Sequence, residues 1–143
     1  MIHCGFRELI ISLFSCIVAF QVSLAQNSIV SENALAGRPI SEWGVPDFRD
    51  NRIAGYCTKM SLNRGETARF KINVQSAAGY SIKIYRIGYY GGNGARLIQD
   101  LGFRAGTSQP TCNSDQATGL IDCGNWSESA TWNIPSSAVS GLY

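Results

Sequence analysis

The chain has 143 residues, a formal net charge of +2 and 45% hydrophobic residues, which suits one domain with one hydrophobic core. So weak a positive charge argues against a nucleic-acid partner, because such a partner calls for a basic patch or stripe. The sequence contains no polybasic run that would favour a membrane surface. Neither nucleic acid nor, after removal of the N-terminal segment, a membrane is therefore expected as a partner.

Residues 1–25 are predicted to be a cleaved signal peptide. The run from Leu9 to Phe20 is uninterrupted and apolar; it has the length of a signal-peptide core and is short for a bilayer span. Ser23 and Ala25 place small residues at the −3 and −1 positions of a cleavage site. An uncleaved N-terminal anchor is the alternative. We therefore expect a secreted protein, extracellular or periplasmic.

Export makes disulfides expected among the remaining cysteines. Cys112 and Cys123 bracket a segment typical of a loop, CNSDQATGLIDC, and are predicted to pair. Cys57 is then left over. It is either a buried free thiol or a residue that pairs outside this segment.

The mature chain begins with residues 26–51, which have little periodicity and are predicted to form an extended lead-in with turns. A short edge strand is expected at 27–30, and Trp43 is expected to pack on the folded domain because aromatic side chains carry large apolar area. Strands are predicted at 52–62 and 67–75. The second alternates apolar and polar residues, which indicates one buried and one solvated face.

The central feature is a predicted β-hairpin from Ile82 to Arg96, IKIYRIGYYGGNGAR. Ile82 and Ile84 have the two-residue period of a strand. Gly91, Gly92 and Gly94 tolerate positive φ and favour a turn with a bulge. Residues 95–101 are predicted to be the return strand.

Beyond the hairpin, residues 102–123 are predicted to be mostly loop and 125–134 a strand that Pro135 ends. No amphipathic helix is predicted after residue 25. The predicted fold class is therefore all-β, an antiparallel Ig/fibronectin-like β-sandwich over residues 52–143. Because residues 140–143 resemble the start of another strand, we expect an N-terminal fragment of a longer protein.

The residue types predict no catalytic residue, no metal ligand and no cofactor in this segment. The only histidine, His3, lies in the predicted signal peptide, so neither a Ser-His-Asp triad nor a histidine-ligated metal is expected. GGNGAR joins two predicted strands, whereas a phosphate loop leads into a helix.

Other polar residues are interpreted as solvated or turn residues. The alternatives are a carboxylate pair for glycoside hydrolysis and oxygen ligands for calcium. The candidate carboxylates for hydrolysis are Asp47, Asp50 and Asp100, and the candidate oxygen ligands are Asn113, Asp115 and Asp122. Asn125-Trp126-Ser127 is a sequon, which makes Asn125 a candidate glycosylation site in a eukaryotic secretory host.

The aromatic residues near the hairpin tip form the best candidate binding surface. They lie beside two arginines and would offer a flat platform for a sugar or a neighbouring domain. The candidate residues are Tyr85, Tyr89, Tyr90, Arg86, Arg96 and Trp43. The alternative, which we favour, is that the tyrosines cap the end of the sandwich and belong to the core.

The segment IKIYRIGYYGGNGARLI, preceded by NRGETARFKI and followed by CGNWSESATWNIPSSAVSGLY, resembles the N,N-dimethylformamidase large (beta) subunit-like family. The resemblance runs from about residue 31 to residue 143 and implies a leading β-sandwich region before a larger α/β domain. In the formamidase, that later domain hydrolyses a small amide with an iron held by tyrosines and a glutamate. No metal ligand or catalytic residue is carried over to this sequence.

Three functions follow as hypotheses. The first is a non-catalytic accessory module that scaffolds a downstream domain of the same polypeptide. The second is a carbohydrate- or surface-binding module that uses the aromatic residues. The third is the N-terminal part of an iron-dependent amidohydrolase whose catalytic domain lies beyond residue 143.

Overall fold

The computed structural model describes residues 27–45, 52–75 and 79–143. The predicted signal peptide, Asp47 and Asp50 lie outside the described residues. No helix within the described ranges is long and apolar enough to cross a membrane.

The described chain is dominated by antiparallel strands, as an all-β prediction requires. The strands are β1 (Ile53–Cys57), β2 (Thr67–Val74), β3 (Tyr80–Ile87), β4 (Ala95–Arg104), β5 (Asn113–Asp115), β6 (Leu120–Asp122) and β7 (Ala130–Asn133). One sheet has the strand order β1-β2-β7, a second consists of the β3-β4 hairpin, and a third, small hairpin pairs β5 with β6.

Strand β2 is the central strand of the three-stranded sheet, between β1 and β7. The predicted alternation of burial is seen at its start, where Ala68 is buried and Arg69 exposed, whereas residues 70–73 are all half-buried. Phe70 lies opposite Cys57 on one side and Ala130 on the other. The strand thus holds both of its neighbours in register.

The β3-β4 hairpin forms where the glycines predict it. Gly91, Gly92 and Gly94 have φ values of 65°, 91° and 81°, in the region that glycine enters without steric cost. A 3-10 turn, Tyr90–Gly92, closes the tip. The register shifts between Ile82 and Lys83 and again between Ile84 and Tyr85; these irregularities lie within the strands and not in the glycine turn where a bulge is predicted.

The two larger sheets share one hydrophobic cluster. Its buried members are Ala68 of β2, Ile84 of β3 and Trp132 of β7. The indole Nε1 of Trp132 also donates to Oε1 of Gln99 on β4 at 2.9 Å. Partly buried apolar residues surround the cluster: Cys57, Leu62, Phe70, Ile82, Ile98, Leu101 and Ile134.

The expected edge strand at 27–30 is wrong, as is the absence of helices after residue 25. Helix α1 (Ser28–Asn33) occupies that position, and α2 (Ile40–Trp43) follows. The side chain of Asn27 caps α1, since its Oδ1 accepts from the backbone N of Ile29 at 2.9 Å. Asparagine is among the strongest N-cap residues, so a local signal for the helix was present.

Strand lengths also differ from the predictions. β1 ends at Cys57 rather than at residue 62, and β7 is confined to Ala130–Asn133. β4 continues to Arg104, and the predicted loop at 102–123 contains the β5-β6 hairpin. Positive φ at Gly119 (71°) permits that turn.

Candidate functional site

Helix α1 and the hairpin tip enclose a buried group of polar side chains, here called the Glu32 network. It consists of Glu32, Asn33, Arg86, Tyr90 and Arg96. Tyr90 is 1% exposed, Arg86 3% and Glu32 8%. Polar residues are rarely buried so completely unless they are paired, so the pairing defines this site.

One carboxylate oxygen collects the donors. Oε1 of Glu32 accepts from Tyr90 Oη at 2.9 Å and from Arg96 Nε at 2.7 Å, while Arg96 Nη2 lies 2.6 Å away. Tyr90 Oη in turn accepts from Arg86 Nη1 at 2.8 Å. The Tyr90 hydroxyl therefore bridges the Arg86 guanidinium and the Glu32 carboxylate, whereas the Arg96 guanidinium binds that carboxylate directly.

Arg86 also ties the network to two other parts of the chain. Its Nη1 donates to Oδ1 of Asn33 at 3.2 Å, and its Nη2 donates to the carbonyl of Ser140 at 2.8 Å. Its buried Nε has no hydrogen-bond partner among the described residues. One guanidinium thus joins α1, the hairpin and the segment that follows β7.

The backbone conformation and close contacts around Tyr90 require glycine at nearby positions. Tyr90 itself has φ 43°, a conformation that is uncommon for a bulky residue. A side chain at Gly88 would overlap Oδ1 of Asn33, and one at Gly37 would come within 2.6 Å of Tyr90 Cβ. The glycines let α1 and the tip approach closely, and the hydrogen bonds hold Tyr90 in its strained conformation.

The charges of the network favour the ionised forms. Burial alone raises the pKa of Glu32, but hydrogen bonds from Arg96 and Tyr90 and the charges of Arg96 and Arg86 hold that pKa below its ordinary value of 4.5. Burial likewise lowers the pKa of Arg96, but the hydrogen bond and charge of Glu32 leave that pKa above its ordinary value. Because the charged forms are favoured, the ion pair and its hydrogen bonds hold α1 against the hairpin.

The predicted binding surface is not one platform. Tyr89 is 71% exposed, whereas Tyr90 and Arg86 are buried in the network, so the expectation that these two lie on an exposed surface is wrong. For Tyr90 the alternative of a core position is the correct one. Sequence alternation does not distinguish adjacent tyrosines in a turn, because there the side-chain period is lost.

The other members of that surface are half-buried. Tyr85 Oη donates to the carbonyl of Glu42 at 3.4 Å. Trp43 packs over Gly94, and its Nε1 donates to the carbonyls of Arg38 and Asn93 at 3.1 and 3.2 Å. Arg96 is held by Glu32. The lead-in therefore covers the tip from one side.

Sequence reasoning missed Glu32 and Asn33. Asn27, the N-cap of α1, was a local clue to the helix that carries them. The partner of Glu32, however, is 64 positions away in the chain, and nothing in a single sequence links the two residues.

The predicted disulfide is present between Cys112 and Cys123, and Cys57 is a half-buried free cysteine. Asn125 lies in the adjacent exposed turn, where its Nδ2 donates to the carbonyl of Thr111 at 2.8 Å. Asp122 accepts from the backbone N of Gly124 at 2.8 Å, the turn chemistry expected of it.

Asp115, a candidate calcium ligand, and Asp100, a candidate hydrolytic carboxylate, are exposed residues. Asp115 accepts from the backbone N of Ala117 at 2.9 Å, and Asp100 from that of Gly102 at 2.8 Å. Within the described ranges no three His, Cys, Asp or Glu residues are grouped as metal ligands would be.

Apart from the Glu32 network, the structure has a cleft between the two larger sheets. This inter-sheet cleft has a volume of about 1070 Å³. Its walls come from β1, β2, β3 and β7, the loop at 59–64 and the segment at 138–143. Apolar side chains dominate these walls, among them Phe70, Ile82, Ile84, Trp132 and Leu142.

Comparison with known proteins gives one match. Residues 81–143 match the family model described as N,N-dimethylformamidase beta subunit-like, C-terminal. The match begins within β3 and includes the hairpin tip, both bridged cysteines and β7. No curated protein and no solved structure matches the chain significantly.

Proposed function

We propose that the chain is a non-catalytic accessory module of an N,N-dimethylformamidase beta subunit-like protein, because residues 81–143 match the C-terminal family model of that description. In this role it is an Ig/fibronectin-like β-sandwich that scaffolds a catalytic domain elsewhere in the same polypeptide. We also propose that it acts after export, in an extracellular or periplasmic compartment, where a disulfide persists.

One observation carries the proposal. Three residues of the string YRIGYYGGNGAR are used internally: Arg86 donates to Tyr90, and Tyr90 and Arg96 both donate to Glu32. The string thus builds a rigid connection between the hairpin and α1. Groups paired in this way supply rigidity, which is what a scaffold needs.

The test is an activity assay on the purified chain. Folding is verified by circular dichroism, and N,N-dimethylformamide and p-nitrophenyl acetate are supplied as amide and ester substrates with added iron(II). We expect no release of dimethylamine or p-nitrophenolate above a buffer blank. Release that scales with the concentration of folded chain, and that survives a second purification step, would overturn the accessory role and favour the amidohydrolase hypothesis.

A carbohydrate- or surface-binding module is the second candidate, and the exposure of Tyr89 favours it. A tyrosine ring that is 71% exposed at a hairpin tip can stack on a sugar ring. On a glycan array, Tyr89→Ala should abolish any retention while leaving the circular dichroism spectrum unchanged. If the unmodified chain is retained on no glycan, this second role is excluded for the glycans tested.

A further inference from the structure

The inter-sheet cleft is a groove that opens to solvent, and it has a volume of about 1070 Å³. Its walls are mainly apolar side chains. It opens onto the same cluster that contains Ala68, Ile84 and Trp132. An occupant that removes these walls from water would therefore gain hydrophobic free energy.

The strands that border the cleft favour a polypeptide as the occupant. In the described chain β3 pairs with β4 alone, so its other side has no strand partner there. At one end of that side the backbone N of Ile87 donates to the carbonyl of Leu142 at 2.9 Å, so the chain itself occupies this position. The part of β3 that lines the cleft, from Ile82 to Tyr85, is where an extended peptide would add as a further strand.

The charges on the cleft walls define the chemistry of that polypeptide. Lys59, Arg64 and Lys83 line the cleft, and no Asp or Glu among the residues that the structure describes does so. Lys59 lies 3.8 Å from Glu66, but Arg64 and Lys83 form no ion pair with any residue the structure describes. An incoming segment with carboxylates would complement these two cations.

We propose that the cleft binds an extended segment of a partner domain, which adds to the free side of β3. The segment has alternating apolar side chains that enter the cleft and acidic residues at its ends. The identity of the partner as a catalytic domain rests on the proposed function above. The chemistry of the cleft does not, and it is tested separately.

The test uses three fluorescein-labelled peptides and the full chain. The first probe is Glu-Val-Thr-Val-Thr-Val-Glu; the second replaces both glutamates with lysines; the third replaces the central valine with proline. We expect saturable binding of the first probe by fluorescence anisotropy. Its affinity should fall at least tenfold with the lysine ends and at least tenfold with proline, which cannot donate to a strand ladder.

Variants place the binding in the cleft. Lys83→Glu should weaken the first probe at least tenfold, whereas Lys83→Arg should retain the affinity within about twofold. Arg69→Gln serves as the matched control, because Arg69 is exposed and pairs with Glu128 outside the cleft. Alkylation of Cys57, which lines the cleft, should slow when the first probe is bound.

Three results would overturn the proposal. One is equal affinity for all three peptides, which indicates unspecific apolar adhesion. Another is no binding to the folded monomer. The third is a dimer in sedimentation velocity with Cys57 protected, which makes a second copy the occupant. Amide turnover by the chain, by contrast, would remove the accessory role and leave the peptide result untouched.

Discussion

At the scale of single residues, Glu32 is the position on which most contacts depend. Its Oε1 accepts hydrogen bonds from Tyr90 and Arg96, and the Tyr90 hydroxyl in turn accepts one from Arg86. Two guanidinium groups thus share one carboxylate in a buried setting. Removing one member of a buried ion pair is strongly destabilising, because it leaves an uncompensated charge.

The substitution Glu32→Gln is expected to lower the free energy of unfolding by about 3 kcal/mol. Glutamine keeps the shape of the side chain but leaves both arginines without an anionic partner. Urea denaturation followed by circular dichroism measures the change. Glu128→Gln is the control, since Glu128 also contacts an arginine, Arg69 at 2.7 Å, but at an exposed position where such a pair is worth about 0–1 kcal/mol.

The losses of unfolding free energy in Glu32→Gln and Glu128→Gln are compared directly. If Glu32→Gln costs no more than Glu128→Gln, the buried network contributes no stability beyond that of an ordinary surface pair. The Glu32 network would then not provide the rigid connection that a scaffold requires.

At the scale of elements, the hairpin tip depends on backbone conformation. Gly91 has φ 65° and ψ 25°, and no heavy atom lies within 4 Å of a Cβ placed there. A substitution at this position therefore tests conformational strain without steric crowding. The tip positions Tyr90, so strain here also acts on the Glu32 network.

Gly91→Ala is expected to destabilise the chain by about 1 kcal/mol, the cost of a left-handed conformation for an L-residue. Gly91→Asn should cost clearly less, because asparagine tolerates that region. Thermal and urea unfolding of both variants measure the difference. Equal costs for alanine and asparagine would contradict a left-handed conformation at Gly91.

The same element shows how far sequence reasoning reaches. The strand at 67–75, the hairpin, its glycine turn and the Cys112–Cys123 bridge were predicted because each depends on local periodicity, turn chemistry or cysteine spacing. The short helix α1 was missed although Asn27 caps it, because six residues, Ser28–Asn33, carry too little periodicity. Burial of Tyr90 beside exposed Tyr89 was not predictable, since tertiary contacts with α1 decide it.

At the scale of the whole molecule, three distant parts of the chain meet at Arg86. The helix supplies Asn33, the hairpin supplies Tyr90, and the segment after β7 supplies the Ser140 carbonyl. Leu142 and Tyr143 extend this last connection: the Leu142 carbonyl accepts from Ile87, and the Tyr143 ring lies 5.5 Å from that of Trp132. Loss of one of these contacts of Arg86, Leu142 or Tyr143 is therefore expected to weaken the packing of the two larger sheets on each other.

This coupling gives the stability of the chain a specific dependence on pH. The pKa of Glu32 lies below 4.5 in the folded state and near that value when the chain is unfolded, so the unfolded state binds more protons in the interval between the two. The stabilisation is fully present above about pH 5 and is lost as the pH falls through the folded pKa. Chemical denaturation at pH 7, 5, 4 and 3 should show this loss.

The variant Glu32→Gln isolates the contribution of Glu32 from those of other acids. Asp115 also has a lowered pKa, chiefly because it accepts hydrogen bonds from the backbone N of Ala117 and the side chain of Thr118, and its contribution is lost in the same direction. The difference in unfolding free energy between the unmodified chain and Glu32→Gln cancels that term. We expect the difference to be constant from pH 7 to 5 and to shrink towards pH 3. A difference that stays unchanged down to pH 3 would mean that ionised Glu32 does not hold the network together.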